Sequence, residues 1–178
     1  MISPVKTILV AFVGAAIAAP CLAQEPKPEP RQEPVGCDKF KWPLDKERAT
    51  LTGTDLPKLA SGARVTFPIP WASIVALTPF ADAKLPAPPE RAPKSPTSFA
   101  GFLQVPAPKA GTYKITLSSE GWIDVVQNGH TVKSIAFSGA LGCDGVRKSV
   151  KFELAAQPLT IELSGVPDST IKVAVSPE

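Results

Sequence analysis

Residues 111–133 read GTYKITLSSEGWIDVVQNGHTVK. Polar and apolar residues alternate strictly over 112–117, the period-two pattern typical of a half-buried β-strand. A second run, WIDVVQ, leads into Asn128-Gly129, a dipeptide that favours a two-residue hairpin turn because both central residues need positive φ. The segment therefore predicts two strands, the second of which continues into a hairpin.

His130, the only histidine of the chain, directly follows this turn and lies opposite Gln127 in the predicted hairpin. The same register places Asp124 opposite Lys133, which would be a favourable cross-strand charge pair. A catalytic or metal-binding histidine needs partners, yet the sequence contains no GxSxG or HExxH motif and no second histidine. We therefore interpret His130 as a residue of the hairpin tip.

Three further segments repeat the period-two alternation: SVKFEL (149–154), LTIEL (159–163) and TIKVAVS (170–176). Turn residues separate these segments, and no helix-period segment lies between them. Successive strands without crossover helices pair in antiparallel fashion. The sequence therefore predicts an all-β fold, an antiparallel β-sandwich of jelly-roll-like type.

The region before residue 99 carries weaker signals. LDKERATL (44–51) follows Pro43 and predicts a short N-terminal helical turn that ends by Gly53. Residues 63–80 predict two short β segments broken at Pro68 and Pro70, since proline belongs at strand ends or edges. Residues 81–96 are proline-rich without periodicity and predict a long surface loop.

The first 23 residues have the layout of a secretory signal peptide, with an early Lys6, an apolar run and small residues up to Ala23. The apolar run is about 12 residues, whereas a transmembrane helix needs roughly 20. Residues 24–36 alternate prolines with charges and predict an extended spacer, which leaves 37–178 as a single domain. No other stretch is long and apolar enough to span a membrane, so we expect a periplasmic or secreted protein.

Beyond the predicted leader the chain has two cysteines, Cys37 and Cys143. In an oxidising compartment two cysteines most simply form one disulfide bond. A metal site is the weaker interpretation because the sequence has no CxxC motif and only one histidine. We therefore predict a Cys37–Cys143 disulfide that joins the start of the domain to a late loop.

The formal net charge is +3, and the charges are interspersed along the chain. The densest basic stretch, VRKSVK (146–151), runs into a strand pattern and is interpreted as a solvated face. A mild surplus of this kind does not support nucleic-acid binding or attraction to a membrane surface.

Residues 101–178 carry a longer pattern in GFLQVPAPKAGTYKITLSSEGWIDVVQNGHTV, SVKFELAAQPLTIELSG and IKVAVSP. A strand runs into Pro-x-x-Gly-x-Tyr, then a strand, a short turn and a strand that ends in a glycine turn. This order resembles the protective-antigen-type module, a β-sandwich found in adhesins, glycosidases and toxins. The resemblance implies a binding role, commonly for carbohydrate. Sugar-binding members hold calcium with adjacent aspartates, and this chain has no Asp-Asp pair, so no metal ligand or cofactor is expected.

Glu120, Trp122 and Asp124 are the candidate binding surface, because an aromatic ring between carboxylates suits contact with a polar ligand. The leading hypothesis is an exported, non-enzymatic module that binds an envelope glycan or a protein partner. One alternative is a structural subunit of an envelope assembly, with the loop 81–96 as its contact. Another is a small hydrolase that uses carboxylates such as Glu120, Asp124 and Asp144.

Three structural observations would separate these hypotheses. Two close carboxylates with perturbed pKa values in a cleft would favour the hydrolase. A flat aromatic patch would favour glycan binding. An uncovered apolar sheet edge would favour assembly with another protein.

Overall fold

A computed structural model describes residues 32–178, which form two packed β-sheets and one short α-helix. The elements are α1 (Asp45–Leu51), β1 (Lys58–Leu59), β2 (Trp71–Ala76), β3 (Thr78–Pro79), β4 (Phe99–Val105), β5 (Gly111–Leu117), β6 (Trp122–Gln127), β7 (His130–Thr131), β8 (Ser134–Gly139), β9 (Lys148–Leu154), β10 (Leu159–Val166) and β11 (Thr170–Pro177). The first sheet has the order β1-β2-β11-β5-β9-β8, and the second has the order β3-β4-β10-β6-β7. Over this part of the chain, no helix combines the length and apolarity that a membrane crossing requires.

The strand order confirms the predicted β-sandwich. The chain passes repeatedly between the sheets, so that β2, β11, β5 and β9 lie together in one and β4, β10, β6 and β7 in the other. These eight of the eleven strands form two facing sets of four with the strand order of a jelly roll. Every described pairing between named strands is antiparallel except that of β1 with β2.

The core lies between the sheets and is filled by the apolar positions of the alternating strands. Ile115 of β5 and Ile161 of β10 are fully buried there, and Phe152 of β9 is the largest side chain that is almost fully buried. Burying one such side chain contributes roughly 1.5–3 kcal/mol. The period-two pattern is therefore the main source of stability as well as the signal that predicts the strands.

The short N-terminal helix is also confirmed, and it packs on the outer face of the first sheet. Leu44 and Leu51 form a second, smaller cluster there with Ala72, Val146 and Ala174. This cluster covers the outer face around β2 and β11, which is otherwise polar.

The predicted disulfide is present. Cys37 and Cys143, 106 residues apart, join the turn before α1 to the connection between β8 and β9. Beside it, the Leu141 N–H donates to the Pro34 carbonyl and the Gly36 N–H donates to the Leu141 carbonyl, both at 2.8 Å. A disulfide of this kind is typical of oxidising compartments. The predicted signal peptide and most of the predicted spacer lie outside the described residues.

The hairpin after β6 has the predicted turn but a shorter ladder. Asn128 and Gly129 have φ values of 51° and 75°, as the turn requires, and Gln127 pairs with His130. The ladder ends at Thr131, and the predicted pairing of Asp124 with Lys133 is wrong. On its other side β6 pairs with β10, where Asp124 lies opposite Glu162.

The segment before β2 differs from the prediction as well. Residues 63–67 form only an isolated bridge, from Arg64 to Gln104, and the two short strands both follow Pro70. Prolines at 68 and 70 remove two ladder donors, which leaves this stretch too short to pair as a strand.

Candidate functional site

The predicted surface residues occupy two different environments. Trp122 and Asp124 lie on the outer face of the second sheet, where the Trp122 Nε1–H donates to Asp124 Oδ1 at 2.8 Å. Asp124 is buried, whereas Glu120 is exposed in the turn before β6 and forms a 2.7 Å ion pair with Arg147. Glu120 and Trp122 therefore line one cleft, whereas Asp124 is not among its lining residues. The third candidate carboxylate, Asp144, is exposed and does not line this cleft either.

The cleft has a volume of about 420 Å³, and three parts of the chain form its walls, with Glu33 and Lys148 added from elsewhere. One wall is the segment 91–98, the second is the turn before β6, and the third is the end of β10 with the turn that follows. Its charged lining consists of Arg91, Lys94, Lys148, Glu33 and Glu120.

Two cations lie against the Trp122 ring. Lys148 Nζ is 4.6 Å from the ring centroid and Arg91 Cζ is 4.8 Å from it. Lys148 also donates to the Gly121 carbonyl at 2.9 Å, and burial lowers the pKa of its ammonium group. Trp122 is therefore not an open, flat aromatic patch.

The basic stretch 146–151 is not the predicted solvated face. The side chains of Arg147 and Lys151 are only 18% and 13% exposed. Arg147 contacts Glu33 and Glu120, and Lys151 lies over the Trp42 ring. These cations are held by carboxylates and aromatic rings from distant parts of the chain, which the local pattern does not reveal.

Two buried carboxylates hold the proline-rich loop on the second sheet. Asp124 and Glu162 lie opposite each other on β6 and β10. The Ala87 N–H donates to Glu162 Oε1 at 2.7 Å, and the Glu90 N–H donates to Asp124 Oδ2 at 3.2 Å. The loop 81–96 is thus tethered to the sheet by its own backbone.

Burial raises the pKa of both carboxyl groups, and the nearby Asp124 charge adds to the rise at Glu162. Close carboxyls with raised pKa values are the arrangement that would favour a hydrolase. Here, however, the loop covers both groups and occupies an oxygen of each with a backbone N–H. A substrate could reach them only if the loop left the sheet.

Glu162→Gln is expected to stabilise the protein by about 1 kcal/mol at pH 7, because Glu162 Oε2 is buried without a hydrogen-bond partner. A raised pKa means that the stability contribution of Glu162 is complete below its ordinary value of 4.5 and is lost as the pH rises through the folded-state value. The gain in unfolding free energy from Glu162→Gln should therefore shrink towards pH 4. Urea unfolding from pH 4 to 8 measures it, with the exposed Glu153→Gln as control. A Glu162→Gln variant less stable than the wild type at pH 7 would contradict the conclusion that the buried charge of Glu162 destabilises the fold.

His130 is exposed at the end of the hairpin, opposite Gln127, as predicted. The Gln127 side chain is occupied with the backbone of Ala155 and Gln157, so it does not orient the imidazole. Within residues 32–178, no group of three or more His, Cys, Asp or Glu side chains is arranged to hold a metal ion.

A second candidate surface lies at the edge of the first sheet. Strand β8 is the last strand of that sheet and pairs only with β9. The exposed large apolar side chains of the described residues all lie along or beside this strand: Val35 (65% exposed), Ile135 (57%), Phe137 (62%) and Leu141 (43%). We call these four residues the apolar edge.

Neither the apolar edge nor the cleft residues Arg91 and Lys94 could be predicted from the sequence pattern. Ile135 and Phe137 alternate, but the small residues around them hide the strand pattern. Arg91 and Lys94 lie in an aperiodic loop, where no local signal indicates a contact with Trp122.

Comparison with known proteins adds no relative. No protein-family model, no curated protein and no solved structure matches the chain. The resemblance to the protective-antigen-type module therefore stays a prediction, and the functional assignment rests on the two surfaces described above.

Proposed function

We propose that this chain is an exported, non-enzymatic binding module that binds a protein partner along the apolar edge. The observation that carries the proposal is that β8 lacks a second strand partner and that all the exposed large apolar side chains of residues 32–178 lie along or beside it. Natural proteins usually protect such edges with charges, prolines or bulges. Strand β8, SIAFSG, contains no charged residue and no proline, and its one irregularity lies near its start.

The edge suits the addition of an extended strand from a partner. In this mode of binding, main-chain hydrogen bonds between β8 and the added strand contribute affinity. Every second side chain of the added strand packs against the apolar side chains of the edge. Leu141, which lies beyond β8, already pairs with Val35 through the bonds at Pro34 and Gly36, but Ile135 and Phe137 are exposed at alternate positions of β8 itself. A partner strand with apolar residues at every second position would cover them.

Charge favours a different protein over a second copy. Lys41 and Lys133 are both exposed beside β8, and Lys41 Nζ lies 5.0 Å from the Phe137 ring centroid. The nearby carboxylate of Glu33 is already bound by Arg147. Pairing two copies of β8 would bring the lysines together without a free carboxylate. The occupant is therefore an extended segment with acidic residues beside its apolar ones.

Export and lack of catalysis complete the proposal. The disulfide and the leader-like first 23 residues support a periplasmic or secreted location. The best-placed carboxylate pair, Asp124 and Glu162, holds a loop, which supports a non-enzymatic role. A structural subunit of an envelope assembly would use the same edge but would remain permanently bound.

Photo-crosslinking in the native organism tests the proposal. A benzophenone amino acid in place of Phe137 should give a discrete protein adduct, whereas the same group in place of Thr78, on the edge strand β3 of the other sheet, should not. Ile135→Lys, which places a charge on the edge, should abolish the adduct while circular dichroism remains unchanged.

The identified segment, made as a peptide, should bind the purified protein and lose at least tenfold in affinity to Ile135→Lys. Loss of a fully covered apolar side chain accounts for that factor. An adduct with the mass of two copies, equal adducts from both positions, or no adduct at Phe137 would each overturn the proposal.

A further inference from the structure

We propose that the cleft beside Trp122 binds an acidic sugar unit, a hydroxyl-rich ring that carries a carboxylate. This site is separate from the apolar edge and does not depend on the protein-binding role. Its ligand class follows from the charge, the unused hydroxyl groups and the shape of the cleft.

The cations of the cleft are available to an anion. Arg91, Lys94 and Lys148 line it, against the carboxylates of Glu33 and Glu120. Both of these carboxylates are bound to the Arg147 guanidinium behind the cleft. Within the described residues, none of these three cations forms an ion pair, although Glu120 lies near Lys148, and this favours a negatively charged ligand.

Two buried hydroxyl groups provide an independent observation. Ser98 and Ser164 belong to the lining of the cleft and are only 3% and 2% exposed. The Oγ atom of each has no hydrogen-bond partner within the described residues. Buried polar groups are normally paired, so these unpaired hydroxyls, one on the 91–98 wall and one at the end of β10, indicate a place where a ligand completes the bonding once the side chains turn towards it.

Further hydroxyl groups line the opening. Ser95 and Thr97 bond to each other at 2.9 Å and are both exposed. A ligand that both donates and accepts hydrogen bonds would use all four groups. Sugar hydroxyls do so, whereas an isolated carboxylate or a phosphomonoester dianion only accepts.

The shape of the cleft agrees with a sugar ring. Pro93 and Pro167 give it apolar surface on which the C–H face of a ring can lie. A volume of about 420 Å³ is within the range of small-molecule sites and suits one or two rings. Because Arg91 and Lys148 already contact Trp122, the indole positions the cations instead of stacking on the sugar.

The test is calorimetric titration of the oxidised protein with digalacturonic acid, its neutral methyl ester and inorganic phosphate. The acid should bind at least tenfold more tightly than either of the others. Arg91→Gln and Lys94→Gln should each weaken binding of the acid about tenfold, the effect of one charge-assisted bond. Lys109→Gln, an exposed lysine outside the cleft, is the matched control and should leave the Kd unchanged.

Ser164→Ala distinguishes a site with specific hydrogen bonds from a basic surface that attracts any anion. It keeps the charge of the cleft and removes one buried hydroxyl, so binding of the acid should weaken several-fold while binding of phosphate does not change. The proposal is overturned if the ester or phosphate binds as tightly as the acid, if Arg91→Gln has no effect, or if no titrant binds. None of these results bears on crosslinking at Phe137, so the two proposals fail separately.

Discussion

Replacing Cys37 and Cys143 together by serine is expected to lower the free energy of unfolding by about 4 kcal/mol. The disulfide closes a loop of 106 residues, and for a loop near this length chain-entropy models give roughly 4–5 kcal/mol of stabilisation through the unfolded state. For a domain of this size the loss corresponds to a fall in Tm of about 10 °C. Differential scanning calorimetry of the double variant measures it.

The same loss should follow chemical reduction of the wild type. Dithiothreitol should shift the wild-type transition to that of the double variant and leave the variant itself unaffected. The small cluster around Leu51 and Val146 lies next to the bridge and should loosen first, which hydrogen exchange would detect. A double variant within 1 kcal/mol of the wild type would contradict the loop-closure estimate.

Lys114→Met is expected to destabilise the fold by about 3 kcal/mol because it leaves the Glu47 carboxylate buried without its cation. The two groups are 2.7 Å apart, and the side chains of Glu47 and Lys114 are 3% and 15% exposed. Ser176 also donates its hydroxyl to Glu47, but one neutral bond does not offset the lost charge. Denaturant unfolding of the single variant gives the value.

A double variant, Glu47→Leu with Lys114→Met, is the matched control. Replacing both members of a buried ion pair by apolar residues is often neutral, so most of the stability should return. If the double variant is as unstable as Lys114→Met, packing is responsible and the ion-pair explanation fails.

The pH dependence of this pair has a defined sign. Burial alone would raise the pKa of Glu47, but the bonds from Lys114 and Ser176 outweigh it and the pKa is lowered. The stability contribution is therefore present above the ordinary value of 4.5 and is lost as the pH falls through the folded-state value. This is opposite to Glu162, so acid should weaken the Glu47 contact while it relieves the buried Glu162.

The features of this fold that could be predicted are those whose sequence signal is local. The alternation at 112–117 is local, and a strand with one apolar face has to place it on a core. The partner of Asp124 is not local. The hairpin predicts Lys133, nine residues away, whereas the structure places Glu162 of β10, four strands later in the chain, opposite Asp124 on the other side of β6.

The candidate site shows the same limit. Trp122 was singled out as an aromatic in a polar setting, and it does line the cleft. Arg91, which contacts its ring, precedes Trp122 in the chain, and Lys148, which also contacts the ring, follows it. No sequence spacing predicts that these residues meet. A Trp122→Ala variant would also remove the bond to buried Asp124, so Arg91→Gln is the cleaner test of the cleft.

The disulfide also determines how the domain would respond to a mechanical load. Tension applied between the segment before Cys37 and the C-terminus passes through the covalent bridge to Cys143 and bypasses every strand from β1 to β8. Only the chain after Cys143, about 35 residues or roughly 120 Å when fully extended, could be drawn out under force. Strand β8 lies inside the closed loop, but β9, its only strand partner, lies after Cys143 and would bear the load, so force that drew β9 out would also detach the apolar edge from its sheet.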